Sequence, residues 1–402
     1  MKTTLTLLTA LLLAPLAALQ AADAPKPPAS TKAPSVLWDS NVPMPKAAEL
    51  PQVQGAEFHV IKRYDPKADG YRFLHGVALA WHKDKLYATF GHNQGAENTA
   101  GEAARGRVSS DGGRTWGDIF TIDDDKNDGL GISHGVLVSH QGTLWAFHCA
   151  LYGKMERCHT RAYVLNERTG RWEKKGVILA DGFGPNQSPH RMSNGNWIMA
   201  GRIRDPKAGN PAAVAISKGD DLTQWELVKI PKPAGLKMYG ESSVIVEGKR
   251  IISIHRSQEK PPYAIAAVSE DYGRTWSTSL PSNLPMATSK PYAGTLSTGQ
   301  RYLVCTTTAD TGGKRSPLTI AVSKPGEEMF SKVFVIRHAK FPEGPGESHP
   351  QAALSYPYAI EHDGKLYVGY SNNGGNIGRV GTDNNNSAEL AIIPVEKLKV
   401  TP

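Results

Sequence analysis

The chain of 402 residues carries 46 lysines and arginines against 38 aspartates and glutamates, a formal net charge of +8. The basic residues are scattered and form no run, so the excess does not predict nucleic-acid binding, and an anionic glycan suits it better. Beyond the first 22 residues no apolar stretch is long enough to span a membrane, which excludes stable membrane insertion.

The first 22 residues have the pattern of a secretory signal peptide. Lys2 precedes an apolar run over 5–19, and alanines follow at 21 and 22. Such a run is too short, and too rich in alanine at its end, to be a spanning helix. We therefore expect cleavage near Ala21 or Ala22 and a secreted or periplasmic protein.

Residues 23–54 are rich in proline, alanine and lysine and show no periodic apolar pattern, which predicts a flexible arm. The structured domain is expected over 55–402. It starts with an isolated strand at 57–63. No stretch shows sustained helical periodicity, so the domain is predicted to be almost entirely β.

An eight-residue turn motif then occurs twice. Ser109–Trp116 reads S-S-D-G-G-R-T-W, and Ser269–Trp276 reads S-E-D-Y-G-R-T-W. Its aspartate can accept hydrogen bonds from the backbone of its own turn. The glycine that precedes its arginine supplies a positive φ. Its tryptophan can cover the turn from the apolar side. The motif therefore predicts a stabilised hairpin and carries no chemistry of its own.

Degenerate copies of the motif fill the gaps and give the chain a regular period. The anchoring aromatic residues are Trp116, Trp172, Trp225, Trp276 and Phe330, separated by 56, 53, 51 and 54 residues. A steady period near fifty residues, filled with short strands, is typical of four-stranded propeller blades.

This period predicts six blades, of which the last lacks the motif. The expected ranges are about 72–122, 131–178, 186–230, 240–280, 290–337 and 351–396. We expect the final strand, 388–395, to pair near the strand at 57–63. That pairing would close the ring and remove its open sheet edges.

The S-x-D-x-G-R-T-W motif is similar to the Asp-box of the sialidase superfamily. The resemblance implies an all-β, six-bladed β-propeller of four-stranded blades with Asp-box turns. It also implies an exported glycoside hydrolase, similar to an exo-sialidase, that cleaves a terminal acidic sugar. The expected partner is an acidic glycan or oligosaccharide, and we expect a monomer with no cofactor, no metal and no bound nucleic acid.

The family's site residues can be placed individually on this chain. Such enzymes bind a carboxylate with three arginines, use a tyrosine nucleophile activated by a glutamate, and carry an acidic acid/base near the first Asp-box. Glu241 and Arg256 have the family's glutamate–strand–turn–strand–arginine order, and Arg315 is a second candidate carboxylate ligand. Tyr356 resembles the nucleophile, with Tyr358 as a competitor two residues away.

The chain departs from the family in its first blade. The segment that should hold the third arginine lacks the family's proline, so either Arg72 or His75 is expected at the channel mouth. The only aspartate between Arg72 and the first Asp-box, Asp84, belongs to a turn. The candidate acid/base residues are therefore Glu97 and Glu102, whose carboxyl groups reach one methylene further.

Histidines recur near blade starts and strand ends, and they support rival functions. Five histidines are expected around the central channel: His75, His92, His134, His190 and His349. Of these, His75 and His134 are the candidate substrate ligands. A ring of histidines would suit uronate binding or proton abstraction. The alternatives are thus a polysaccharide lyase or histidine-dependent glycosidase acting on uronate-containing polysaccharide, or a non-catalytic glycan-binding propeller.

The cysteines leave two alternatives open. Cys149 and Cys158 flank a short segment, and Cys305 is distant in sequence. In an oxidising compartment a disulfide between the first two is plausible, and three buried free thiols are equally compatible with the sequence.

Overall fold

A computed structural model describes the protein over residues 36–125, 129–153, 155–205, 207–375 and 386–400. The expected signal peptide, 1–22, and the first part of the expected arm, 23–35, lie outside these residues. The described residues form six antiparallel sheets arranged in a ring. The prediction of an all-β, six-bladed β-propeller is confirmed.

Each blade is an antiparallel meander of neighbouring strands. Blades one and two comprise β2 (Phe73–His82), β3 (Lys85–Asn93), β4 (Ala103–Ser109), β5 (Phe120–Asp123), β6 (Leu130–His140), β7 (Thr143–Tyr152), β8 (Glu156–Asn166) and β9 (Arg171–Leu179). Blades three and four comprise β10 (Phe183–Pro185), β11 (His190–Arg191), β12 (Trp197–Ile203), β13 (Ala212–Lys218), β14 (Asp221–Lys229), β15 (Met238–Glu247), β16 (Arg250–Ser257), β17 (Tyr263–Ser269) and β18 (Leu280–Pro285). In blade three the inner strand is split, and both pieces pair with the same neighbour.

The remaining strands complete blades five and six. They are β19 (Tyr292–Thr295), β20 (Arg301–Cys305), β21 (Leu318–Ser323), β22 (Phe330–Arg337), β23 (Leu354–His362), β24 (Lys365–Asn372), β25 (Ser387–Pro394) and β1 (Glu57–Lys62), the last of which is the outer strand of blade six. Short helices occur at Ala47–Glu49, Pro66–Asp69 and Val395–Leu398. No helix among the described residues is both long and apolar enough to cross a membrane.

Strand β1 closes the ring, as the sequence predicted. It pairs antiparallel with β25, and Phe58 lies opposite Ala391. Ile61 and Ile392 of the two strands are buried in the largest core cluster, which several blades share. Because strands from both ends of the domain share one sheet, opening the ring would expose two sheet edges and this apolar surface.

The Asp-box geometry expected from the sequence is present in both copies. In the first, Asp111 Oδ1 accepts a hydrogen bond from the Thr115 amide at 2.9 Å, and the indole of Trp116 donates to the Gly113 carbonyl at 3.0 Å. Gly113 has φ +91°, and a Cβ there would lie 2.6 Å from Leu390 Cδ2. Only glycine fits this turn, which lies against blade six.

The described part of the expected arm, 36–54, packs against the propeller. Trp38 is 2% exposed and forms a parallel bridge with Phe330, and its backbone exchanges hydrogen bonds with the side chain of Asn283. Further along, Val53 donates its amide to the Val335 carbonyl. This segment therefore covers the outer strands of blades four and five over its described length.

Candidate functional site

Bulges in the inner strands bring four polar side chains to one end of the channel. The pairing register shifts near the start of the inner strand in blades one, two, four and six. Because an antiparallel meander alternates its ends, these starts lie on the face opposite the Asp-box hairpins. A bulge re-aims side chains locally, and the residues at the four shifts are His75, His134, Glu241 and Tyr356.

Tyr356, Glu241 and Arg256 form one hydrogen-bonded group. The tyrosine hydroxyl donates to Glu241 Oε1 at 2.5 Å. Nη1 of Arg256 donates to Glu241 Oε2 at 2.7 Å and to the tyrosine oxygen at 3.2 Å. Glu241 is fully buried, so its charge depends on these partners. The structure thus brings together three residues that the sequence analysis placed in one site.

A further arginine, which the sequence analysis did not select, holds the other side of Glu241. Nη1 of Arg202 lies 3.1 Å from Glu241 Oε1. The guanidinium groups of Arg202 and Arg256 both lie over the ring of Tyr239, at 4.3 and 4.7 Å. Arg202 lies near the end of β12, the strand next to the split inner strand of blade three, and Arg256 lies near the end of the corresponding strand β16 in blade four. That shared place in the repeat could have identified it.

These cations determine the protonation of the pair. Burial favours the neutral form of Glu241, but Arg256 and Arg202 hold the pKa of this carboxyl well below its usual range. Burial, and then the charge of Glu241, raise the pKa of Tyr356, while the surrounding arginines lower it. In the free protein the proton therefore lies on the tyrosine, and the glutamate is a charged hydrogen-bond acceptor.

Two neutral histidines flank the Tyr356 ring. Its centroid lies 4.0 Å from that of His75 and 5.6 Å from that of His134. Burial, and then Arg315, lower the pKa of His75 to about 3, and burial and Lys290 lower that of His134. Both imidazoles are therefore uncharged at neutral pH.

A glycine in β2 leaves room for the imidazole ring of His134. Gly76 has φ +71°, and a Cβ at this position would lie 2.3 Å from Cγ of His134. Any side chain here would collide with the imidazole as well as strain the backbone. The two imidazole rings can therefore lie beside Tyr356 together only if a glycine follows His75.

Arg315 and Lys290 add two cations on the blade-five side. Nη1 of Arg315 donates to Ser355 Oγ at 3.1 Å, and its guanidinium carbon lies 5.6 Å from the Tyr356 ring centroid. The ammonium of Lys290 lies 5.5 Å from the same centroid and donates to the Asn186 carbonyl at 3.2 Å. Burial lowers the pKa of Lys290 to about 8.

The two candidate acids have different surroundings. Glu97 is partly exposed; burial raises its pKa, and Arg204 is the charged group with the largest opposing effect. Glu102 is 1% exposed and accepts a hydrogen bond from the Asn98 amide at 2.7 Å. Burial, and then Glu97, raise the pKa of Glu102 to about 8. Glu97 is therefore the carboxyl that solvent or a substrate can reach.

A family model now places this chain. The model of the BNR repeat-like domain matches residues 105–368, which are 264 of the 402 residues. The chain belongs to the BNR repeat-like domain family. The resemblance to the sialidase superfamily is thereby confirmed, and it extends to the fold.

Solved structures share the fold of this BNR repeat-like protein at low sequence identity. A Dyadobacter fermentans protein of unknown function has a TM-score of 0.64 at 14% identity, covering 85% of this chain and 99% of that one. A variant NanB sialidase of Streptococcus pneumoniae has 0.64 at 10%, covering 85% and 71%. The Trypanosoma rangeli sialidase has 0.64 at 13%, covering 86% of this chain but 60% of that one. No curated protein sequence matches significantly.

Several residues of this BNR repeat-like protein that the sequence analysis considered for the site lie outside it. Arg72 is exposed, and His75, three residues later, is the residue in contact with Tyr356. Tyr358, the competitor, packs on Tyr292 with ring centroids 4.5 Å apart. Residues two apart on a regular strand share a face, but a register shift between Ser355 and Tyr358 interrupts that alternation here.

The remaining histidines do not join the site. His92 stacks on Tyr71 at 3.9 Å, and His349 is exposed in a loop. His190 pairs opposite Ile198 beside the hairpin at the other end of the inner strand. The expected ring of five histidines is thus wrong, because only His75 and His134 coincide with a bulge.

The cysteines and possible metal ligands give no further centre. Cys149, Cys158 and Cys305 are buried free thiols. The described residues contain no group of three or more histidine, cysteine or acidic side chains placed to hold a metal ion. Chemically, the site offers a tyrosine paired with a carboxylate, a separate protonatable carboxyl and several cations.

Proposed function

We propose that this protein is an exported, retaining glycoside hydrolase that cleaves a terminal acidic sugar from a glycan. The observation that carries the proposal is the 2.5 Å hydrogen bond from the Tyr356 hydroxyl to Glu241, with Arg256 on both partners. A phenol is a weak nucleophile unless a base and nearby cations assist it. The sequence pattern of residues 1–22, which predicts a signal peptide, supports action outside the cytoplasm.

Arg256 and Arg315 would bind the carboxylate of the sugar. They approach Tyr356 from blades four and five, and arginine forks suit planar carboxylates. The third family arginine has no counterpart at His75, whose neutral imidazole can hydrogen-bond a sugar hydroxyl but adds no charge. Because a neutral imidazole stands in place of the third arginine, we expect the bound acidic sugar to carry different substituents from a sugar that three arginines bind.

The reaction would proceed in two displacements. In the first, the Tyr356 oxygen attacks the anomeric carbon while its proton passes to Glu241, and the leaving oxygen takes a proton from Glu97. In the second, Glu97 accepts a proton from water as that water attacks the same carbon. The bond from this carbon to Tyr356 breaks as the bond to water forms, and the phenol recovers its proton from Glu241. Two inversions give overall retention.

Glu97 is assigned as the acid/base in preference to Glu102. A general acid must hold its proton near neutral pH and must reach the substrate. Burial raises the pKa of both carboxyls, but only Glu97 is partly exposed. Glu102 is enclosed and would keep its own proton, leaving Glu97 as the titrating group.

The lyase alternative fits the site less well. A lyase needs a base to remove a proton beside the uronate carboxyl. His75, with a pKa near 3, is a poor proton acceptor, and Tyr356 is already hydrogen-bonded to a charged glutamate. The histidines therefore suit sugar binding better than proton abstraction.

The test is covalent trapping combined with product analysis. A panel of acidic sugar fluorides bearing a second fluorine should label Tyr356, detected by peptide mass spectrometry, and Tyr356→Phe should abolish labelling and reduce turnover at least ~10²-fold. Acidic glycans should release saturated sugars. An unsaturated, ultraviolet-absorbing uronate would show a lyase instead. Tight binding without turnover across the panel would show a glycan-binding propeller.

A further inference from the structure

The site holds more positive charge than one carboxylate can balance. Five cationic side chains act on Glu241, Tyr356 or Glu97, and they are Arg202, Arg204, Arg256, Lys290 and Arg315. Opposite them stand the charged Glu241 and the partly exposed Glu97, which the proposed reaction requires in its protonated form. Glu102, with a pKa of about 8, is protonated at neutral pH. Binding a single carboxylate would still leave an excess of cations.

Four of these cations have an identified ion-pair or hydrogen-bond partner. Arg202 and Arg256 pair with Glu241. Arg315 donates to Ser355 Oγ and to a backbone carbonyl, and Lys290 donates to the Asn186 carbonyl. Arg204 has no oxygen acceptor for its buried Nε and Nη1 among the described residues, and the group that its guanidinium meets is the Cys149 thiol.

Arg204 belongs to the wall of the same site. It directly follows β12, two residues after Arg202, and side chains at that spacing lie on one face of a strand. Its amide donates to the Gly182 carbonyl at 2.9 Å, which fixes the backbone. A Cβ on Gly184 would lie 3.8 Å from Arg204 Nε and 3.6 Å from Cys149 Sγ, and the Arg204 side chain interacts with that thiol.

Burying two guanidinium nitrogens without an oxygen acceptor is costly, because their desolvation is not repaid. Two anions could balance it. One is the thiolate of Cys149, since the Cys158 hydrogen bond and the charge of Arg204 lower the pKa of that thiol. The other is a group on the substrate.

The position of Arg204 indicates which part of a substrate it would meet. Of the charged groups that lower the pKa of Glu97, Arg204 has the largest effect, whereas Arg256 has the largest effect among the cations that lower the pKa of Tyr356. If Glu97 protonates the leaving oxygen, the space beside Arg204 belongs to the leaving group. The proposed carboxylate clamp for the cleaved sugar lies on blades four and five.

We infer that Arg204 binds an anionic group, a carboxylate or a sulfate ester, on the sugar that leaves. The preferred substrate is then an acidic glycan with a second anionic group next to the cleaved bond. This inference rests on the proposed function for its orientation. The binding of an anion at Arg204 can be tested without turnover.

Calorimetry with leaving-group probes tests it on the full-length protein. Galactose, galactose 6-sulfate and methyl glucuronoside are titrated into the wild type, and the two charged probes separate sulfate from carboxylate recognition. At least one should bind about tenfold or more tighter than galactose, the effect expected of a charge-assisted hydrogen bond. Arg204→Met should remove that preference, and Arg204→Lys should retain part of it.

Two variants locate the bound probe. Arg315→Met, in the proposed carboxylate clamp, should keep the charged-probe preference. Arg274→Met, on the Asp-box face where Arg274 pairs with Glu226, is the matched control and should also keep it. Loss of the preference in Arg315→Met with retention in Arg204→Met would overturn the inference, because the probe would then occupy the clamp.

Two other results also overturn it. The wild type could bind neither charged probe better than galactose. Alternatively, the thiolate absorbance of wild-type protein at neutral pH could disappear in both Cys149→Ser and Arg204→Met, with probe binding unchanged, which would make Cys149 the counter-ion. A turnover assay that fails while probe binding follows Arg204 would reject the proposed reaction but keep the anion site.

Discussion

The Tyr356 hydroxyl donates to Glu241 at 2.5 Å, although the two residues are 115 positions apart in the chain. Tyr356 adopts φ +53°, a conformation that a tyrosine rarely takes, at the point where the register of blade six shifts. Glu241 follows Gly240, which has φ +69°, at the equivalent shift in blade four. Left-handed backbone at both register shifts thus brings the two side chains together, with a steric cost at Tyr356 but not at Gly240.

The first prediction concerns the two sides of the buried ion pair. Glu241→Gln leaves Arg202 and Arg256 without their carboxylate, and removing one partner of a buried pair costs about 3–5 kcal/mol. Arg256→Ala leaves Glu241 with Arg202 still in place. We therefore expect the glutamine variant to melt lower than the alanine variant in thermal denaturation.

Activity per folded molecule separates catalysis from this stability loss. Glu241→Gln should reduce kcat by roughly 10²–10⁴, while Arg256→Ala should mainly raise KM. Arg301→Ala is the control: Arg301 pairs with Glu247 away from the site, so it should lower the melting temperature and leave kcat unchanged. Full specific activity in folded Glu241→Gln would contradict the assignment.

The second prediction isolates a steric contact. Gly76 and Gly142 both have φ +71°, but a Cβ on Gly76 would meet His134 at 2.3 Å, whereas nothing lies within 4 Å of one on Gly142. Alanine carries the same backbone strain at both positions, roughly 1 kcal/mol. Only Gly76→Ala should displace the imidazole of His134. We expect this variant to lose more stability than Gly142→Ala and to lose most of its activity. Equal effects of the two variants on melting and turnover would refute the steric argument.

The third prediction is a dependence of stability on pH. The pKa of Glu102 rises from 4.5 to about 8 in the folded protein. Between these values the folded state binds more protons than the unfolded state, so this residue's contribution to stability falls as pH rises. Glu102→Gln, uncharged at every pH, lacks this loss.

Melting temperatures across pH test it. The variant should gain stability over the wild type progressively from about pH 5 to pH 8, with little difference near pH 4. Glu343→Gln, on an exposed loop, is the control and should leave the pH profile unchanged. A constant difference between the Glu102 variant and the wild type at all pH values would contradict the raised pKa.

Much of this architecture follows from local sequence, and the site only in part. The turn chemistry of Ser109–Trp116 is complete within eight residues, so the motif and its period indicate blades directly. Glu241 and Arg256 were found because they match the family's order of glutamate, strand, turn, strand and arginine. Arg202 was missed because its role depends on a neighbouring blade. The separation of Tyr356 from Tyr358 depends on a bulge, and nothing in strand alternation shows where one residue is added.

The fourth prediction concerns the segment that precedes the first blade. A flexible arm would contribute nothing to stability, but Trp38 is 2% exposed, its indole donates to the Val42 carbonyl, and its backbone is held by Asn283. Truncating a buried tryptophan to alanine costs about 3–5 kcal/mol. Trp38→Ala should therefore lower the melting temperature by several degrees.

Val36→Ala, at a side chain that is 51% exposed, is the matched control and should melt at the same temperature as the wild type. Because Trp38 packs on blades four and five and not on Tyr356, kcat of the folded variant should be unchanged. Wild-type melting of Trp38→Ala would mean that 36–54 behaves as the flexible arm that its composition predicts.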